Sequence, residues 1–375
     1  MKTILFVAAC LICSGLFAQL PSVDTSGEIH IRFDHNTEFA GFIFFMGSMA
    51  DDAAAPGAKM ETGTLKKDWF RYNLALTEKY KAFKDDADLK TPAGFMEELQ
   101  ASDIFPLLMN VAPFPAAAMH KEISYSSIEN FAPGRDSITT ARQAGMFLNA
   151  LNNIYRKMSF DKYYQEAAVY YQQTLKEIRT ALPPAGSIAA MESFYGKRFA
   201  EYSVMPSLTI PSGMAFGLKI KETRGTAVFN LFGPFAVQKI DRRDSINMGF
   251  NNPQHILELS VHEFGHSFVN PVVDALPDSV IFSSRAKFEP IREAMNNQGY
   301  TTWKSCLSEH FVRAGEVMIA KRMDRTNAAA NLLKDYMEKR KFIYLPVIIE
   351  MIETAIAGGR SYKDALSIAA EKLRL

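Results

Sequence analysis

Apolar residues between positions 253 and 269 recur almost without interruption. Ile256, Leu257, Leu259, Val261, Phe264, Phe268 and Val269 give the density of a buried helix instead of a one-sided surface helix. Asn251-Asn252-Pro253 precedes them, an N-cap followed by a proline at the first helical position, where its missing N–H costs nothing. Asn270-Pro271 follows, and a residue before proline is pushed out of the α region, so the spacing predicts one helix from Pro253 to Val269. Upstream the period changes to two. Residues Ser207–Ile210, Ala215–Ile220 and Thr226–Phe232 read as strands, separated by Pro211-Ser212-Gly213 and Arg224-Gly225. Val228–Phe235 is the expected sheet edge, against the alternative of an ordinary sheet strand with a bulge at Gly233. Nearer the N-terminus, residues 28–34 alternate as a strand and Thr37–Met49 as a helix. Helical patterns fill 64–103, 137–158 and 160–182, and the three prolines of Phe105–Ala118 make that stretch a connection. Residues 284–375 are helical again, with Phe342–Ile356 apolar enough for core. The expected class is α+β. A mainly helical portion (19–198) carries an initial strand, and 199–375 holds a mixed sheet, the central helix and a helical C-terminal third.

Composition narrows the function classes. With 42 basic and 41 acidic residues the formal net charge is +1, which gives no electrostatic footprint for nucleic acid or an anionic bilayer. There is no repeat, no P-loop and no dinucleotide-binding glycine pattern. Met1-Lys2, the apolar run Ile4–Phe17 and Ala18-Gln19 form a secretory leader pattern, residues 1–18, with cleavage near Ala18. Val7-Ala8-Ala9-Cys10 resembles a lipoprotein cleavage site, but apolar residues continue past Cys10, so release is expected over anchoring. Cleavage removes Cys10 and Cys13 and leaves Cys306, which sits in an apolar pattern and reads as core. Aromatic residues are abundant, with 28 Phe, enough to fill a core and line a cleft.

Inside the apolar helix stands His262-Glu263-Phe264-Gly265-His266. Residues four apart share one helix face, so both imidazoles can reach one ion. The His-Glu-x-x-His spacing is that of a zinc site whose glutamate is a general base. A lone histidine is most often a satisfied surface or core residue. Two at i and i+4 with a glutamate between them, on a greasy helix, need pairing that a metal supplies. Gly265 costs the helix about 1 kcal/mol relative to alanine, and its expected use is close approach of a strand or of substrate.

A catalytic zinc takes three protein ligands and leaves one position open. A third histidine in the extended pattern is excluded, because those positions are Val269 and Val272. The remaining candidates are downstream acids: Asp274, Glu289, Glu293, Glu309 and Glu316. Glu309 lies on a helical pattern formed by Trp303, Cys306, Leu307, His310 and Phe311. Arg313 follows it by four residues and can orient its carboxylate. Tyr300, His310, Arg313 and Tyr344 are candidate donors to a developing oxyanion.

The block His262-Glu263-Phe264-Gly265-His266-Ser267-Phe268-Val269-Asn270-Pro271, with Tyr300, Trp303 and Glu309-His310-Phe311-Val312-Arg313-Ala314, resembles a family of secreted bacterial proteins with a domain of unknown function. That family is similar to zincin metallopeptidases of the gluzincin type. The resemblance implies a zincin-like fold with Glu309 as third ligand beside His262 and His266, Zn2+ as cofactor and Glu263 as base. Glu309 follows His266 by 309 − 266 = 43 positions, longer than in thermolysin-like enzymes, which keeps Glu289 and Glu293 open. The function so implied is a secreted zinc metallopeptidase acting on a peptide or protein. It would bind no nucleic acid, and no membrane unless lipidated at Cys10. A non-catalytic zinc-stabilised binding protein and a zinc hydrolase of a non-peptide amide are the other readings.

Overall fold

The computed structural model describes residues 28–60, 62–242 and 245–373. The expected leader, residues 1–18, and Cys10 lie outside them. The described chain is α+β and mostly helical, around a four-stranded sheet in the order β1 (His30–Ile31), β2 (Glu201–Pro206), β4 (Gly225–Phe232), β3 (Ala215–Glu222). β1 and β4 run parallel to β2, and β3 is antiparallel to β4. The mixed sheet draws its first strand from the N-terminal portion, and one apolar core extends from Ile29 to Leu373. Much of the aromatic content is here: Phe39, Phe42 and Phe160 pack with ring centroids 4.7 and 5.5 Å apart. Among the described residues no helix is long and apolar enough to cross a membrane.

Several boundaries move from the expected ones. The first strand shortens to two residues. Asp34 then caps the helix His35–Phe44, its carboxylate accepting from Thr37 N, and a π-helical turn Phe45–Met49 continues it. Residues 207–210 are not a strand. β2 ends at Pro206, and the Ser207 hydroxyl accepts from the N–H of Thr209 and Ile210, folding the chain into a turn. β2 lacks alternation because five of its six residues are buried, as in a parallel strand covered on both faces. Pro106 lies inside a helix, Ala101–Met109, so the expected connection begins only at residue 110. The pattern at 160–182 divides at Ala167 into Asp161–Glu166 and Ala168–Ala181.

The largest correction concerns the sheet edge. β4 is an inner strand held on both sides, and the edges are β3 and the two-residue β1. Alternation does not distinguish these positions, because it reports which face is buried and not which neighbour is bonded.

Candidate metal centre

The helix bearing both histidines runs from Pro253 to Asp274, past the expected stop. Asn252 caps it by accepting from His255 N at 3.0 Å. Its entry loop is pinned by buried Glu177, which accepts from the N–H of Met248 and Phe250 at 2.9 Å each. Pro271 removes one backbone hydrogen bond, but Val269 and Val273 are buried, and packing of that face carries the helix through. The glutamate helix, Trp303–Arg322, starts at a Thr302–Ser305 capping box and packs against the histidine helix. Both helices carry a glycine where they meet. A Cβ on Gly265 would touch the Tyr195 hydroxyl and Val312 at 3.4 Å, and one on Gly315 would lie 2.3 Å from that hydroxyl. The strand approach expected at Gly265 occurs at Gly217 of β3, where a Cβ would lie 2.3 Å from the Glu263 carbonyl oxygen.

His262, His266 and Glu309 converge from these two helices. The two Nε2 atoms are 3.3 Å apart. His262 Nε2 lies 3.6 Å from Glu309 Oε1, and His266 Nε2 lies 3.6 Å from Glu309 Oε2. Ligands held tetrahedrally at zinc bond lengths stand about 3.3 Å from one another, so the two imidazole nitrogens and the two oxygens of Glu309 already stand close to the spacing of ligands around one small cation.

Partners behind the ligands turn these atoms toward each other. His262 Nδ1 is 2.7 Å from Glu316 Oε1, and His266 Nδ1 is 3.2 Å from Asn270 Oδ1, which also accepts from the Ser308 hydroxyl at 2.7 Å. With Nδ1–H donated in each ring, both Nε2 atoms present a lone pair. Arg313 lies 2.6 Å from Glu309 Oε1, off the hydrogen-bonding line, so the contact is ionic and Oε1 has no hydrogen-bond partner among the described residues. The Arg313 guanidinium sits on the rings of Tyr336 and Phe342, 4.5 and 5.0 Å from their centroids. Tyr336 donates its hydroxyl to Glu316 Oε2 at 2.5 Å.

Electrostatics fit a cation. Burial opposes ionisation of Glu309, but His262, Arg313 and His266 hold its pKa down to about 2, with help from Tyr300. Burial likewise opposes protonation of His262, but Glu309 and Glu316 raise it to about 9, so this pocket favours positive charge at that ring. Glu263, Glu309 and Glu316 bring three carboxylates against the single guanidinium of Arg313. A divalent ion balances that set with both histidines neutral. The Glu263 carboxylate is buried beside the cluster; burial raises its pKa, and a hydrogen bond from Gly217 N–H tempers the rise.

The remaining candidates lie elsewhere. Glu289 pairs with Arg292, Asp274 pairs with Lys304, and Glu293 is exposed outside the cluster. Tyr344 donates to the Lys287 carbonyl. His310 points into the core, donating Nδ1–H to the Cys306 carbonyl at 2.8 Å and packing on Phe342; burial lowers its pKa to about 4. It cannot donate to a bound substrate, because a one-residue step from Glu309 rotates it off the ligand face. Burial pushes the Cys306 thiol up to about 12, as expected of a core residue. The supporting roles of Asn270, Gly217 and Tyr336 had no reading in sequence. Asn270 could have been found as the residue one turn beyond His266, as could Glu316 two turns beyond Glu309.

A cleft of about 450 Å3 opens on the centre, lined by Trp69, Phe235, His255, His262, Glu263 and Arg340 among others. Residues 129–367 match the family described as Domain of unknown function (DUF4932). Comparison with curated proteins and with solved structures gives no match. The match spans most of the chain, which belongs to this family.

Proposed function

We propose that this member of the family is a zinc-dependent peptidase of zincin type, with His262, His266 and Glu309 as metal ligands and Glu263 as general base. The observation that carries the reading is the convergence of the ligand groups, 3.3 Å between the two Nε2 atoms and 3.6 Å from each to one oxygen of Glu309, next to a buried carboxylate on a cleft wall. Zinc in such a site polarises a carbonyl and makes water acidic enough to deprotonate near neutral pH. Glu263 accepts the proton of the attacking water and passes it to the departing amine. Gly217 N–H fixes one side of that carboxylate, and burial of Glu263 favours its protonated state, which strengthens it as acceptor of the water's proton. Arg313 and Glu316 hold Glu309 and His262 in place. Tyr300 and Arg313 are the two candidate donors to a developing oxyanion that reach Glu309.

The sheet supports the zincin comparison. β3 is an antiparallel edge strand packed on the histidine helix, so an extended peptide could pair along its free side, as in β-augmentation. A closed structural zinc site needs four protein ligands, and the cluster found among the described residues has three, which favours catalysis over the binding-protein reading. The decisive measurement is cleavage of a peptide library by zinc-loaded protein with and without chelator. Chelator-sensitive cleavage is expected. Glu263→Gln should keep its zinc and lose about 10²- to 10⁴-fold in turnover; hydrolysis at the wild-type rate in that variant would exclude Glu263 as base.

A further inference from the structure

Behind the metal centre a second groove lies along the far half of the histidine helix. Its walls are the segment Ser193–Lys197, the helix positions Phe268, Pro271, Val272 and Ala275, and the junction Ile356–Lys363 between the last two helices. Its volume is about 510 Å3, within the range of small-molecule sites, about 300–1,000 Å3. The floor is aromatic: Tyr195 stacks on Phe268 at 4.4 Å and meets Tyr362 edge-on at 4.8 Å.

The rim has one sign of charge. Lys197, Arg322, Arg360 and Lys363 line the groove, and no aspartate or glutamate does. None of the four forms an ion pair among the described residues. Lys197 and Arg322 lie only over the Phe199 and Phe194 rings. Elsewhere on the surface lysines are commonly paired, as Lys66 is with Asp52 and Lys157 with Asp86. Asp364, the acid beside the rim, accepts instead from the Ser361 hydroxyl at 2.7 Å. In a chain with a formal charge of +1, four unpaired cations around one concavity are a local imbalance that an anion would neutralise. The helix Tyr362–Lys372 begins on the same rim and adds the positive end of its dipole. A separate observation concerns Tyr362, which lines the groove. It is 5% exposed and its hydroxyl has no hydrogen-bond partner among the described residues. That oxygen has no accessible surface, so Tyr362 offers the groove its ring and not its hydroxyl.

We infer that this groove binds a small soluble amphipathic anion, its apolar body on the aromatic floor and its phosphate or carboxylate head among Arg322, Arg360 and Lys363. The site is concave and lined from five helices, which suits a single molecule better than a flat bilayer surface. It does not depend on the peptidase reading, because none of its lining residues belongs to the metal cluster.

Titration calorimetry on the leaderless protein tests it, with dodecyl phosphate held below its micelle concentration. One molecule per chain is expected to bind. Inorganic phosphate and dodecyltrimethylammonium should each bind at least about 10-fold more weakly. Arg360→Ala/Lys363→Ala should lose at least about 10-fold in affinity, and Lys79→Ala/Lys157→Ala nothing. Circular dichroism establishes that each variant folds. His262→Ala should bind dodecyl phosphate as the wild type does, so failure of the metal reading leaves this result intact. Equal binding of the ammonium amphiphile, or full affinity in the Arg360/Lys363 variant, overturns the proposal. Cosedimentation with anionic phospholipid vesicles without binding of the monomeric amphiphile also overturns it.

Discussion

Glu316 reaches His262 Nδ1 at 2.7 Å from two helical turns beyond Glu309, and Asn270 reaches His266 Nδ1 from one turn beyond it. Each helix therefore supplies a candidate ligand together with a group that orients one. Partners of this kind set the tautomer and basicity of the ring they hold, and removing one costs about 10- to 100-fold in metal affinity. Glu316→Gln is expected to weaken zinc binding by that factor, measured by competition with a chromophoric chelator, while Glu309→Ala should abolish stoichiometric zinc. Glu293→Ala should leave the metal content unchanged, since Glu293 is exposed outside the cluster. Zinc retained in Glu309→Ala would remove Glu309 from the ligand set.

Between elements, the approach of β3 to the histidine helix decides where Glu263 stands. Gly217 permits it: any side chain there places a Cβ 2.3 Å from the Glu263 carbonyl oxygen and 3.2 Å from Glu263 Oε2. Backbone atoms cannot rotate aside, so the strand must retreat. Overpacking of this kind costs about 1–3 kcal/mol. Gly217→Ala is expected to lower the denaturation midpoint accordingly and to reduce kcat more than it raises KM, because it moves the base away from the reacting atoms. A stable variant with wild-type kcat would show that β3 does not position Glu263. The glycine pair at the two-helix contact follows the same logic: with a Cβ on Gly315 the Tyr195 hydroxyl has no room, and the helix carrying Glu309 would shift from the one carrying the histidines.

At the scale of the whole molecule, the N-terminal portion is tied to the sheet by Glu38. Its carboxylate is buried, accepts from Leu208 N at 3.2 Å and from the Tyr171 hydroxyl at 2.9 Å, and so joins the first long helix to the turn after β2. Burial raises its pKa from an ordinary 4.5 to about 7, against hydrogen bonds from Ser207, Tyr171, Leu208 and Thr209 that oppose the rise. Between these values the folded protein holds a proton that the unfolded chain has released, so stability falls as pH rises from about 4.5 to about 7. The slope from this one group is at most about 1.4 kcal/mol per pH unit. Denaturant titrations across that range should show the decline in wild type and a flatter profile in Glu38→Gln; parallel profiles would refute the assignment.

Spacing along the chain singled out the two histidines and Glu263 as candidates, because reach on one helix is a local property of a 3.6-residue period. It determined the α+β class and the core character of Cys306 for the same reason: periodicity and composition report burial. The third ligand was another matter. Glu309, Glu289, Glu293 and Glu316 are equivalent as residues, and only the packing of two helices separates the one that faces the histidines from the one that stands behind them. Tertiary structure likewise decided that β3, not β4, is an edge, that Pro271 lies within a helix, and that Gly217 gives the strand its approach. Each of these depends on which surfaces meet across long sequence separations, where burial outweighs local propensity.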